Sequence, residues 1–423
     1  TVTNEGGGVC VLSGSFNMNT GNIIGNTAVG SVTDEYRGWG GGVYVSTGTF
    51  TMTGGSISNN RAIKAEGIDA GALGTGGGVY NSRSGAFTMS GGNISDNISA
   101  TGGGGVYNSG TFTMTDTAVI SGNTVTNETC YGGGVFNYSS FTMNGGTIGG
   151  SNESDANTAG FGGGLYHGDG KAQLNGGMIQ GNIATTNGGG VFYSAEITLN
   201  GVTITDNTAN EDGGGAWMGY VDDAVMTVGG NTTITGNKDK DGKANNVDLR
   251  IGKSLTADSS LVDSARIGIT TPTRNGKTLV KNSTNTKVFT SDMSGYKLVT
   301  DGEGGLKLAV DDGSTPTEHE HCICGSTHKN IGDHDAEVST TFAKKIWMEN
   351  GNLKIDGENW EKTSFLGVDN EYHEAYNLGA GDYYLGSDIQ PDDNIRITDG
   401  TVKLCLNGKN ITINGDVEGI TVG

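Results

Sequence analysis

The sequence predicts an all-β protein, folded mainly as a right-handed parallel β-helix with three-sided coils. Glycine is abundant at 78 of 423 residues and proline is rare at 3, while short apolar triplets recur between glycine and asparagine turns. Glycine without the every-third spacing of collagen indicates many tight turns joined by short strands. One compact core is not expected at this length, so we expect an elongated solenoid with smaller modules.

The repeat reads Gly-Gly-Gly-Val-Tyr, a short turn, Phe-Thr-Met, then Gly-Gly-x-Ile-x-x-Asn. Its first apolar position recurs 25 to 36 residues apart, at Val9, Val43, Val79, Val106, Val135, Leu165, Val191 and Ala216. The Phe-Thr-Met and Ile positions follow in register as two more columns. Strands this short cannot bury their apolar faces alone, whereas stacked coils bury each interior side chain against its equivalent one layer away.

The two corners of the repeat have their own chemistry. Cβ atoms would obstruct the corner formed by the glycine triplet. The closing asparagine is expected in another turn, where its amide bonds the asparagine of the next layer and its backbone tolerates left-handed conformations. Only the repeat with Ile148 breaks the spacing, because Asn152 falls one residue late.

The chain divides into four parts by pattern. Residues 1–245 form the parallel β-helix of about eight coils. Residues 246–310 form closing coils and an antiparallel β cap, since a solenoid end exposes unpaired strand edges. Residues 311–335 are a linker by composition and contain a Cys/His knuckle. Residues 336–423 form a second β-rich module that reads as the start of another β-helix.

Charge and composition limit the function classes. The formal net charge is -21, from 25 Lys and Arg against 46 Asp and Glu. This balance argues against a nucleic-acid partner, because nucleic acids require a basic footprint. No apolar run of transmembrane length is present, so we expect no direct membrane insertion in this fragment. Both ends of the chain fall within repeats, so we expect any signal or anchor to lie outside the fragment.

Two groups of proteins share these motifs. Gly-Gly-Gly-Val-Tyr with Ile-x-x-Asn resembles the repeats of polymorphic outer membrane proteins. With His319-Glu-His-Cys-Ile-Cys-Gly and Leu404-Cys-Leu-Asn-Gly, the chain is more similar to right-handed β-helix repeat surface proteins of gut Firmicutes. The resemblance covers nearly the whole chain and implies an extracellular location at the cell surface, and adhesion in the first group. It transfers no ligand, and the chain departs from the first group in using Ile for Phe and a third Gly.

An aromatic column follows the valine column by one residue. If the valines point inward, strand alternation places these rings on the outside of the coil. There they could stack on sugars or anchor a protein partner. The alternative is mutual stacking along the rod, or burial beneath inserted loops. The candidate ligand-binding residues are Tyr44, Tyr80, Tyr107, Phe136, Tyr166, Phe192 and Trp217.

The sharpest chemical signal is a cluster of Cys and His in the linker. A structural zinc ion would fold a segment too short and polar to have a core. The candidate ligands are Cys322, Cys324, His328 and His334, with His319 and His321 as alternates. Cys-x-Cys is tighter than the usual Cys-x-x-Cys, so a solvated linker or a redox-sensitive pair remains the alternative.

A weaker metal signal lies after the last full repeat. Asn237-Lys-Asp-Lys-Asp-Gly with Asp248 matches the spacing of a calcium loop, with Asp239, Asp241 and Asp248 as candidate ligands. The alternative is a charged turn, because Asn237 is already explained as a turn asparagine.

We expect a surface adhesin or display stalk that binds a host or environmental glycan or protein, because no catalytic motif is present. One alternative is a pectinase-like polysaccharide lyase or glycoside hydrolase, which would need carboxylates gathered on neighbouring coils. The only such cluster contains His167, Asp169, Lys171, Glu196, Asp222 and Asp223. The other alternative is a passive structural spacer.

Overall fold

A computed structural model describes residues 5–31, 36–66, 74–219, 221, 224–272 and 276–311, and beyond them the strands given below. The chain separates into two compact units, Thr1–Asp311 and Asp312–Gly423. The first unit is a parallel β-helix, which confirms the predicted fold class; its right-handed sense stays a prediction. The described residues contain no helix with the length and apolar character needed to cross a membrane.

Three strands per coil form long parallel ladders, as predicted. The valine ladder contains Val9–Val11, Val43–Val45, Val79–Asn81, Val106–Asn108, Val135–Asn137, Leu165–His167, Val191–Tyr193, Ala216–Met218 and Val247–Asp248. The phenylalanine ladder contains Ser15–Met18, Thr49–Met52, Ala86–Met89, Thr111–Met114, Ser140–Met143, Lys171–Leu174, Glu196–Asn200, Met226–Gly229, Leu255–Ala257 and Thr278–Lys281. The isoleucine ladder contains Asn22–Ile24, Ser56–Ser58, Asn93–Ser95, Val119–Ser121, Thr147–Gly149, Met178–Gln180, Thr203–Thr205, Thr233–Thr235, Arg266–Thr270 and Phe289–Ser291.

A fourth ladder, whose strands vary in length, follows the asparagine turn and was not predicted. It contains Thr27–Ser31, Arg61–Lys64, Ile98–Ser99, Thr124–Val125, Thr158–Phe161, Ile183–Asn187, Thr208–Ala209 and Lys238–Asp239, with Tyr36–Arg37 antiparallel to the first. These strands are only two to five residues long and carry no apolar triplet. They are therefore weak in the sequence pattern although they are regular in space.

The core follows the predicted columns. Equivalent residues pair across layers, as Val43 does with Val79, and Phe50 with Phe87. The rings of Phe50 and Phe87 stack with centroids 4.9 Å apart, and both side chains are buried. Each such phenylalanine stabilises the fold by about 2–3 kcal/mol through removal of apolar area from water.

The asparagine column forms a continuous hydrogen-bonded ladder, as expected. The side chain of Asn97 donates to the side chain of Asn123 at 2.9 Å and to the Ile57 carbonyl of the preceding coil at 2.9 Å. The members are Asn26, Asn60, Asn97, Asn123, Asn157, Asn182, Asn207, Asn237 and Asn246. Asp292 ends the ladder by accepting the Asn246 amide at 2.7 Å.

Two details of this ladder differ from the sequence expectation. Asn157, not Asn152, occupies the column, because a short 3₁₀ helix at Glu153–Asp155 lengthens the turn after Ile148. The left-handed residue lies one position before the ladder asparagine, as at Asn59 with φ 55° and Asp96 with φ 56°. The asparagine itself is held instead by its amide bonds.

The glycine triplet forms a tight corner, as predicted. The first glycine is left-handed in each coil, as at Gly103 with φ 62°. A Cβ atom on Gly105 would lie 2.6 Å from the Gly134 carbonyl oxygen and 2.8 Å from Ile120 Cγ2. The backbone of one coil therefore approaches the next too closely for any side chain.

The C-terminal end of the first unit is closed by a β hairpin. Tyr296–Thr300 pairs antiparallel with Leu306–Val310, which also pairs antiparallel with Thr278–Lys281. This hairpin is the expected antiparallel cap. Phe289–Ser291 pairs parallel with Arg266–Thr270 and belongs to the last coil.

The described strands of the second unit form two small sheets, besides the antiparallel pair His319–Glu320 and Thr327–His328. One contains Lys344–Glu349, Asn352–Ile355, Glu358–Asn359, Gly381–Leu385 and Val402–Cys405. The other contains Lys362–Leu366, Tyr372–Leu378, Asn394–Ile397 and Ile420–Val422. Each combines a hairpin with parallel pairs, for example Lys344–Glu349 with Gly381–Leu385. That this unit begins another β-helix stays a prediction.

Candidate functional site

The aromatic column forms a stack on the outside of the coil. Its members pair in register along the valine ladder and take no part in the interior apolar cluster. The centroids of Tyr80 and Tyr107 are 4.8 Å apart with their planes at 5°, and those of Tyr107 and Phe136 are 4.6 Å apart at 12°. Each such pair adds about 0.5–1.5 kcal/mol beyond the area it buries.

Most of this column is covered rather than open. Tyr44, Tyr80, Phe136, Phe192 and Trp217 are each at most 8% exposed. Burial raises the pKa of the Tyr80 phenol, and it raises the pKa of the Tyr166 phenol to about 12. The alternative of mutual stacking therefore describes most of the column.

A second column, the flanking column, covers the rings. It lies four residues before each valine-column position and includes Trp39, Thr75, Gly102, Tyr131 and Phe161, which pair in parallel one after another. It continues through Asn187, which pairs with Phe161, and Asp212, whose carbonyl accepts from Gly188. The sequence analysis missed this column, although the residue before each glycine triplet could have revealed it.

The flanking column is interrupted at its third and fourth layers. Trp39 stacks on Tyr80 with centroids 4.6 Å apart, and Tyr131 contacts Tyr166 at 4.5 Å. Between these two large rings the column carries only Thr75 and Gly102. The small residues leave a gap over the aromatic stack.

This gap is a cleft of about 490 Å³, here named the aromatic cleft. Its lining residues are Trp39, Lys64, Thr75, Tyr80, Thr101, Tyr107, Asn127, Cys130, Tyr131 and Phe136. Trp39 and Tyr131 lie three layers apart, or about 14 Å at the usual strand spacing. The size and the aromatic lining with a few polar groups are those of a small-molecule site.

The rim of the cleft adds polar and reactive groups. Lys64 lies near Cys130 and favours its thiolate, but burial is the larger effect and raises the pKa of the thiol. Thr75 and Thr101 bond each other through their hydroxyls at 3.0 Å. Hydroxyl, amide and ammonium groups therefore surround an aromatic floor.

The structure separates the seven predicted binding residues. Tyr80, Tyr107 and Phe136 line the aromatic cleft, and Trp217 lines a different pocket. Tyr44, Tyr166 and Phe192 line neither of these two pockets. Of the other cleft residues, Trp39, Thr75 and Tyr131 come from the flanking column and Lys64 from the fourth ladder. Thr101, Asn127 and Cys130 come from the segments between these two columns.

The residues of the enzyme alternative do not form one open site. His167 is fully buried, contacts the Asn137 amide at 3.0 Å and the Glu196 carbonyl at 2.9 Å, and burial lowers its pKa. It therefore extends an interior stack of Asn81, Asn108 and Asn137 and is not accessible to a substrate. Glu196 pairs with Lys171 at 3.6 Å on the surface, and Asp169 is exposed. Asp222 and Asp223 lie outside the described residues.

Some of the predicted metal ligands also lie outside the described residues, and the others do not form a metal site. Cys322, Cys324, His321 and His334 lie outside the described residues, whereas His319–Glu320 pairs antiparallel with Thr327–His328. Asp239 accepts backbone bonds from Asp241 and Lys243, each at 2.9 Å. Among the described residues, no group of three or more His, Cys, Asp or Glu has the geometry to hold a metal ion.

Comparisons with family profiles, with characterised proteins and with solved structures find no match to this chain.

Proposed function

We propose that this protein is an extracellular surface protein that binds a carbohydrate in the aromatic cleft. The observation that carries the proposal is the interruption of the flanking column at Thr75 and Gly102. It leaves a cleft above Tyr80, Tyr107 and Phe136, between Trp39 and Tyr131, in which Tyr107 is the least buried of the three rings. An uninterrupted column would have covered these rings.

The chemistry of the cleft favours a sugar over other small molecules. Sugar rings present C–H faces that pack on aromatic side chains, and hydroxyl groups that need hydrogen-bond partners. The lining supplies three aromatic rings from the column, two more from the walls, and polar groups at Lys64, Thr101 and Asn127. No other described pocket combines these features.

The β-helix supports display in addition to binding. Each coil rests on its neighbours, so the solenoid holds the cleft on a rigid frame. A chain that is acidic overall, with a formal net charge of -21, favours solubility and disfavours polyanionic ligands. The proposed role is therefore an adhesin or display stalk for a neutral or weakly charged glycan.

A glycan array with the full chain tests this function. We expect binding that Tyr131→Ala reduces at least tenfold, because this substitution removes one wall of the cleft. Tyr138→Ala is the matched control, since Tyr138 is 50% exposed and does not line the cleft. Absence of any bound glycan, or equal loss in both variants, would contradict the proposal and favour a passive spacer.

We also propose a structural zinc site in the linker, with Cys322, Cys324, His328 and His334 as ligands. The antiparallel pairing of His319 with His328 supports it, because these two positions flank both cysteines in the sequence. Native mass spectrometry with and without a chelator tests this site. An unchanged mass would contradict it.

A further inference from the structure

The two columns that form the aromatic cleft also form a second pocket farther along the same ladders. In the ninth coil Asp248 pairs with Trp217 and so takes the place of a ring in the aromatic column. Asp212 stands in the flanking column one layer before. Both line a pocket of about 530 Å³, here named the acidic pocket, with Trp217, Arg250, Ile251, Thr270, Thr271, Pro272 and Met293.

Asp248 is unusual because its carboxyl group is largely buried and no described residue donates a hydrogen bond to it. The residue is only 6% exposed, and its side chain accepts no hydrogen bond from any residue that the structure describes. A buried carboxyl group normally has several donors, since an unsatisfied one is costly. A ligand in the pocket that Asp248 lines would supply such donors.

The groups around Asp248 leave its charge uncompensated. Arg250 donates instead to the Gly219 carbonyl at 3.0 Å, and Asp292 is held by Asn246 and Thr270. Burial and the neighbouring charges of Asp212 and Asp292 raise the pKa of Asp248 to about 7. Tyr193 also faces Asp248 and is fully buried, so its phenol stays neutral near pH 7.

We propose that the acidic pocket binds the primary ammonium group of a lysine side chain, with Asp248 and Asp212 as its carboxylate partners. An ammonium group brings three donors and a positive charge, which a hydroxyl group cannot match. Asp212 is exposed at the mouth of the pocket and Asp248 lies at its base. The Trp217 ring adds a surface on which a cation is stabilised.

Isothermal titration of the full chain at pH 7.5 tests the site with Nα-acetyl-lysine methylamide, whose amine is charged at this pH. The comparison is its Nε-acetylated, uncharged form. We expect the charged form to bind at least tenfold more tightly than the acetylated form. Equal binding of the two forms would overturn the proposal.

Substitutions of the two pocket carboxylates test whether the lysine probe binds in the acidic pocket. Asp248→Asn keeps the size and polarity of the side chain, and we expect it to weaken the lysine probe at least tenfold. Asp212→Asn, at the exposed mouth, should weaken it several-fold without affecting packing. Asp116→Asn is the control, since Asp116 is an exposed carboxylate outside the pocket. Unchanged affinity in both pocket variants would overturn the proposal.

The pH dependence gives a second readout. The lysine amine stays charged between pH 5.5 and 8, because its ordinary pKa is about 10.4. As the pH rises towards the pKa of Asp248, the affinity for the lysine probe should therefore increase nearly tenfold per pH unit. Above about pH 7.5 it should level off, because Asp248 is then ionised. A flat profile would contradict Asp248 as the partner. This inference does not depend on carbohydrate binding in the aromatic cleft, and the two tests fail independently.

Discussion

The aromatic cleft and the acidic pocket occupy the same two columns but differ in chemistry. Around coils three to five, the aromatic column carries Tyr80, Tyr107 and Phe136, and the flanking column opens at Thr75 and Gly102. Around coil nine, the same columns carry Asp248 and Asp212. Asp248 still pairs in parallel with Trp217 of the preceding coil, so the same column changes from aromatic to anionic side chains.

This difference separates two roles within the repeat. The valine, phenylalanine and isoleucine columns stay apolar from coil to coil, and together with the asparagine ladder they keep the register. The two outer columns tolerate Tyr, Thr, Gly, Asn and Asp, because they are not part of the interior packing. Binding chemistry can therefore vary along the rod while the frame stays constant.

The largest expected effect is a loss of stability when the asparagine ladder, which holds the coils of both sites in register, is interrupted. Asn123→Ala removes bonds to the Ile94 carbonyl, the Ser121 carbonyl and the Asn157 amide, each at 2.9 Å. We expect destabilisation of about 3–5 kcal/mol, since buried neighbours lose their partners. Urea denaturation, monitored by circular dichroism, measures this change in the free energy of unfolding.

The control for this experiment is Asn144→Ala. Asn144 also accepts an interlayer amide bond, from Asn175 at 2.9 Å, but the pair is exposed. We expect a change below about 0.5 kcal/mol there. Equal effects in the two variants would show that the buried ladder does not hold the register.

The acidic pocket should destabilise the fold at neutral pH. The pKa of Asp248 in the folded protein is about 7, above its ordinary value of 3.8. The cost of ionisation is therefore absent below pH 4, grows as the pH rises, and is complete above about 7. Asp248→Asn should stabilise the protein by up to about 4 kcal/mol at pH 8 and by almost nothing at pH 4. Thermal unfolding at both pH values checks this, and a gain that is equal at both would contradict the assigned pKa.

The aromatic cleft should respond differently to substitution. Trp39→Ala removes one wall and a ring that stacks on Tyr80, and we expect glycan affinity to fall by about 1–3 kcal/mol. The same variant should leave the binding of the lysine probe unchanged. Titration with both ligands tests whether the two sites are independent, and a parallel loss would show that they are not.

The smallest expected effect concerns Cys130 on the rim of the cleft. Burial raises the pKa of this thiol, so alkylation at pH 8 should be several-fold slower than for a free cysteine peptide. A glycan in the cleft should slow it further, with Cys10 as the internal control outside the cleft. Peptide mass spectrometry measures both rates, and no protection of Cys130 would place the glycan elsewhere.

The interior columns of the β-helix could be predicted from the sequence, because a stacked coil repeats the same environment in each layer. Val43, Phe50, Ile57 and Asn60 each occupy the predicted column. The prediction was wrong at Asn152, because an insertion changed the turn length and Asn157 replaced it in the ladder. Spacing alone could not detect this compensation.

The sites were less predictable, because they depend on contacts between different parts of a coil. The outward direction of Tyr80 and Tyr107 followed from alternation, but their cover depends on Trp39 and Tyr131, which precede the glycine corner. The raised pKa of Asp248 depends on burial and on the charges of Asp212 and Asp292, which are 36 and 44 positions away in the chain and are brought close only by folding.

Hydroxyl-radical footprinting with a glycan identified on the array tests the central claim most directly. The account predicts that the ligand lowers the oxidation rates of Trp39, Tyr107 and Tyr131, and leaves the exposed Tyr138 unchanged. Protection of Tyr138 without protection of Trp39 and Tyr131 would contradict the claim that the interrupted flanking column forms the binding site.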